Sequence, residues 1–152
     1  MKTSRVRCDA APLFVRKECM DTRAKNYLQE VRELYLAAEQ DKEVAQGYLL
    51  LAEKCKLKKY VELLEKARDK ADKSAAIYNQ RKQIVIEQIK ELRYSVFVHV
   101  LMGIYVDFKA LKEIAYDEHI SYQEVRSMHE PSLKCFEEFH SDALDEWEKG
   151  RW

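Results

Sequence analysis

This chain has almost nothing that breaks a helix. Its 152 residues include three Gly and two Pro, and neither type occurs between Gly47 and Gly103. Strands and tight turns need such punctuation, so a β-sheet is not expected and long helices are. No apolar run approaches the ~18 residues of a membrane-spanning helix. Arg5 and Arg7 precede only a short apolar run, Ala10 to Val15, broken by Pro12, which is too weak for a signal peptide. There is no Gly-rich phosphate loop, H-E-x-x-H or G-x-S-x-G, so nothing argues for an enzyme and no cofactor is expected. The four cysteines, Cys8, Cys19, Cys55 and Cys135, form no C-x-x-C pair. In a chain without a signal peptide they read as reduced thiols of a cytoplasmic protein.

What is present is helical periodicity. From an N-cap at Asp21, Ala24, Leu28, Val31, Tyr35, Ala38, Lys42, Ala45, Leu49 and Ala52 follow spacings of three and four, the spacing of a heptad seam. A second seam runs through Leu57, Val61, Leu64, Ala67, Ala71, Tyr78, Val85 and Leu92, with Ser74, Arg81 and Gln88 as polar interruptions. A connection near Cys55–Lys58 makes the pair a coiled-coil-like antiparallel hairpin; one bent helix is the other reading. Residues 1–20 form a basic N-terminal extension, 21–92 the hairpin, and 93–152 a further unit. Within that unit the stretch Tyr94–Val106 is apolar nearly all round and reads as a buried helix.

Residues 106–136 carry the sharpest local signal. Asp107 is placed to cap a helix with Phe108, Leu111, Ile114 and Ala115 on its inner face. A turn falls at Glu118-His119-Ile120. Ser121 and Glu124 then form the S-x-x-E of a capping box, in which hydroxyl and carboxylate each satisfy an orphan backbone N–H. Two short helices so joined make a helix-turn-helix, whose second helix can enter a DNA major groove. Pro131 lacks an N–H and disfavours helix before it, so the second helix should stop near His129. A last amphipathic helix, 132–147, carries Leu133, Phe136, Phe139, Ala143, Leu144 and Trp147.

Asn26–Leu34, then Tyr105, Phe108-Lys109, Glu113-Ile114-Ala115, Ser121-Tyr122, Val125, His129 and Leu133 occur in an order that resembles a known pattern. It is similar to region 4 of sigma-70-type factors. It is closer to a family of phage and prophage proteins related to ArpU-type late-gene regulators. The resemblance covers roughly residues 20–139. It implies an all-α fold, with a long hairpin followed by a sigma region 4-like helix-turn-helix. It further implies a transcription regulator acting in a bacterial cytoplasm on DNA, RNA polymerase or both, with Tyr122, Gln123 and Arg126 facing the groove and Ser127 and Lys134 near phosphates. The family's turn Gly is His119 here, and its basic and small residues after the His become Glu130 and Pro131.

Charge opens an alternative. Lys and Arg total 27, as do Asp and Glu, but the halves differ: residues 93–152 hold seven basic against twelve acidic side chains. DNA affinity depends on neutralising phosphates with Lys and Arg. An acidic version of the scaffold would instead bind a basic host protein or nucleoprotein, as a phage-encoded inhibitor of a defence system such as CRISPR. Under either reading the leaky seams point to a homodimer.

Two other constellations read as structural. His129, Cys135 and His140 are too widely spaced for a zinc site, so no metal is expected. Arg93 and His99 form an R-x5-H pattern like that of HEPN ribonucleases, but His99 falls in the most apolar segment and reads as a partly buried histidine.

Overall fold

The computed structural model describes residues 12–150, with side chains from Arg23 onward. Their regular structure is entirely helical, with no strand among the described residues. The elements are α1 (Pro12–Cys55), α2 (Lys58–Lys90), α3 (Ser95–Leu101), a π-helical turn (Met102–Val106), α4 (Leu111–Glu118), α5 (Tyr122–Phe139) and α6 (Ser141–Gly150). No helix among them is long and apolar enough to cross a membrane.

Helix α1 begins at Pro12 rather than at a cap on Asp21, so residues 12–20 are helical. Proline suits the first helical position, where its missing N–H would have no partner. The rest of the expected extension, residues 1–11, lies outside the described residues. Lys56 ends α1 in the left-handed region, with φ 53° and its N–H donating to the Ala52 carbonyl at 3.0 Å.

The chain forms two compact units. One gathers α1 up to Gln29 with everything from Ile86 onward; the other is Glu30–Val85.

In the Glu30–Val85 unit, α1 and α2 touch in descending order. Arg81 Nε reaches Glu30 Oε1 at 3.2 Å, Tyr35 and Tyr78 rings lie 5.3 Å apart, and Ser74 donates to Asp41. The two helices therefore run antiparallel. The first seam faces inward: Val31 and Ala45 are buried, and Tyr35, Ala38, Leu49 and Ala52 half-buried. The second faces inward only from Leu64. Leu57 and Val61 are exposed, because the connection at Lys56–Leu57 leaves nothing to cover them.

The other unit has a layered core. Val100, Ile114, Ala115 and Val125 meet at its centre, bordered by Ile104, Leu111, Ile120 and Met128. A second layer brings Tyr27 of α1 against Phe136 of α5 and, edge to face at 5.3 Å, Trp147 of α6. Burial of several aromatic side chains dominates the stability of such a layer. Arg23 fastens the same three helices, bonding Glu137, Asp145 at 2.6 Å and Glu148 at 2.8 Å. Those carboxylates, led by Glu137, hold its pKa above the usual arginine value.

The segment read as one buried helix divides in two. α3 gives way at Met102 to a π-turn, in which the Asp107 N–H donates to the Met102 carbonyl at 2.9 Å. Val100 and Leu101 are buried, as are Tyr105 and Val106 five residues later, so the inner face follows the π period. Tyr94, Val96 and His99 are exposed, contrary to an all-round apolar helix. Gly103 is required here: a Cβ would meet the Ile114 side chain at 2.8 Å.

Candidate nucleic-acid interface

Helix α4 is built differently from the sequence expectation at its start and as expected at its end. Ala110, not Asp107, occupies the N-cap, and the Glu113 carboxylate accepts the Ala110 N–H at 3.1 Å. Asp107 is taken up as the last residue after the π-turn, and Phe108 follows in the left-handed region at φ 56°. At the far end His119 adopts φ 58° and ψ 40°, the conformation a glycine would fill. The Ile120 N–H reaches back to the Ala115 carbonyl at 3.0 Å and closes the helix. Ser121 then caps α5. Its hydroxyl accepts the Glu124 N–H at 3.1 Å, and Glu124 accepts the Ser121 N–H at 3.2 Å.

Helix α5 does not stop near His129. It runs on through Pro131 to Phe139. Proline removes the bond to the Ser127 carbonyl, but Ser132, Leu133 and Phe136 immediately beyond it are buried. That burial offsets the lost bond, and tertiary packing overrides the local preference.

The five residues singled out from the sequence, Tyr122, Gln123, Arg126, Ser127 and Lys134, are all exposed on α5. The first four lie within its first two turns. Lys134 is eleven residues beyond Gln123, about 16 Å along the helix. The Ser127 hydroxyl donates to the Glu124 carbonyl at 2.8 Å, so its proton is already engaged. Tyr116 on α4 was missed; it is 81% exposed, more than any other large apolar or aromatic side chain named among the described residues.

The acidic residues around the α4–α5 turn have structural partners. Glu113 and Glu124 hold helix N-termini, Asp117 pairs with Lys109 at 2.8 Å, and Glu118 with His99 Nδ1 at 2.7 Å. Asp117 raises the Lys109 pKa. Arg126, Lys112 and Lys134 make no ion pair among the described residues, where the pairs are those just given and others remote from the turn.

Beneath this face, Tyr105 Oη lies 2.6 Å from His129 Nε2. Burial raises the Tyr105 pKa, and burial together with nearby Lys25 lowers that of His129. The two side chains share one hydrogen bond, and the imidazole tautomer sets which of them donates. His140 points away, its Nε2 2.7 Å from the Gln88 carbonyl. Neither histidine is arranged with Cys135 as a ligand set, and no group of His, Cys, Asp or Glu among the described residues is placed to hold a metal. Cys55 and Cys135 are free thiols, and burial raises the pKa of Cys135. His99, expected to be partly buried, is half exposed and lines a cavity of about 350 Å³ with Glu118 and Lys109. Arg93 lines a different groove, with Tyr94, Phe97 and Phe139, so the two residues of the R-x5-H pattern do not share a cleft.

Comparison with protein families, curated proteins and solved structures finds no match to this chain.

Proposed function

We propose that α4, the His119 turn and α5 form a sigma region 4-like helix-turn-helix, and that the protein is a phage- or prophage-type transcription regulator. In this reading α1 and α2 are its long helical hairpin. Tyr122, Gln123 and Arg126 face base edges in the major groove, while Lys134 approaches a phosphate. Ser127 contributes only after giving up its bond to the Glu124 carbonyl. The observation that supports the reading is a division of partners: the carboxylates beside the turn are engaged in helix caps, in the Lys109 ion pair and in a hydrogen bond to His99, whereas Lys112, Arg126 and Lys134 make no ion pair among the described residues. A guanidinium on a stable helix end can contact guanine O6 and N7 bidentately.

The test is titration of duplex DNA at about 50 mM salt, where phosphate attraction is strong. Binding should fall steeply with added salt. Arg126→Ala should cost roughly 1–3 kcal/mol and relax sequence preference. Absence of any duplex binding at that salt would remove the regulator reading. The protein-binding inhibitor would then stand in its place, to be sought by capture of basic host nucleoproteins.

A further inference from the structure

The Glu30–Val85 unit leaves one of its sides apolar across both helices. On α1, Val44 and Leu51 are exposed at a seven-residue spacing that continues back through Ala37 to Glu30. On α2, Leu63, Ile77 and Ile84 are exposed at the same spacing, with Lys70 completing the row. Two ion pairs show that these rows share a side. Lys70 reaches Asp41 at 3.7 Å, and Asp41 sits between Ala37 and Val44 at helical spacing. Arg81, which lies between Ile77 and Ile84 in the same way, reaches Glu30 at 3.2 Å. Antiparallel contacts put Leu51 level with Leu63 and Ala37 level with Ile77. Leu50 and Val61 point to the opposite side.

We propose that this side binds a second copy of the same chain, the two α1–α2 pairs closing into a four-helix arrangement. The proposal stands apart from whatever α5 binds. Three observations favour a like partner. Heptad rows aligned on two adjacent helices are the pattern of a bundle seam. The charges between the two rows, Glu30 with Arg81 and Asp41 with Lys70, pair within one copy and so are not left to set one copy against another. The size is also adequate. Twenty-one residues along α2 span about 32 Å, and two helices about 20 Å. That gives roughly 600 Å² per copy and about 1,200 Å² in total, the lower edge of specific interfaces.

The inner seams, which the sequence offered for self-association, face each other within one chain and are not available for it.

Sedimentation equilibrium of the full chain from about 1 to 100 µM tests this, a range that brackets the affinity expected of so small an interface. The mass should rise toward twice 18.1 kDa. Ile77→Glu and the milder Ile77→Ser should hold it at 18.1 kDa with helicity unchanged, since Ile77 is 53% exposed. Leu50→Glu, on the opposite side and 59% exposed, should dimerise like the parent. A parent that stays monomeric at 100 µM, a dimer indifferent to both Ile77 variants, or one disrupted equally by Leu50→Glu would each overturn the proposal.

Discussion

The two units spend similar helical sequence on opposite ends. Of nineteen buried apolar residues among those described, fifteen belong to the unit holding α3 to α6 and four to the Glu30–Val85 unit. Of fourteen exposed large apolar or aromatic side chains, nine belong to the latter. The cause is geometric. Two helices alone cover one stripe each, whereas α3, the π-turn, α4, α5 and α6 with the ends of α1 and α2 enclose a core from several directions. Stability therefore resides mainly where the elements are short, and spare binding surface where they are long.

The comparison is broken most severely at Phe136. It is fully buried between Tyr27 and His140, and Phe136→Ala should cost about 3–5 kcal/mol in urea unfolding. An effect below about 1 kcal/mol would mean that the aromatic layer is not the main store of stability. Gly103→Ala should cost about 1–3 kcal/mol, because its methyl group enters the Ile114 side chain. Ser121→Ala should cost about 1 kcal/mol by removing one half of the α5 capping box. Both can be read from the same denaturant curves, and the comparison sharpens if equivalent surface changes between Glu30 and Val85 stay within about 0.5 kcal/mol.

The smallest effect is a pH dependence. The folded-state pKa of His129 is below that of the unfolded chain, so between the two values the unfolded state binds more protons. Its contribution is fully present above about pH 6.5 and is lost as pH falls through that value toward the folded pKa. Thermal midpoints at pH 7.5 and 5.5 should differ in that direction, and His129→Gln should reduce the difference. An unchanged difference in the variant would assign the dependence to other groups.

Much of this division was written in residues whose effects are local. The α1 seam from Ala24 onward could be read because, Lys42 apart, every third or fourth residue is small or apolar. The α5 cap could be read because Ser121 and Glu124 act within one turn. The exposure of Tyr122, Gln123, Arg126, Ser127 and Lys134 followed from the same period. The failures share a dependence on distant partners. Pro131 stays helical because Leu133 and Phe136 are buried beyond it. Tyr94 and Val96 lie exposed in a segment that looks buried all round, and its His99 bonds Glu118 nineteen residues on. Leu57 and Val61 look like core until the connection beside them proves too short to cover them.

The π-turn has a consequence for how this chain tolerates length change. Met102–Val106 contains one residue more than an α-helical path between the same flanks would use. The buried pairs Val100–Leu101 and Tyr105–Val106 sit five apart because of it. An α-helix would bring residues four apart onto that face, so removing one residue between the pairs would restore the ordinary period and keep all four side chains inward. The turn is thus a built-in slack of a single residue in the segment leading to α4, a site where a one-residue deletion reads as a change of helix type instead of a rotation of everything that follows.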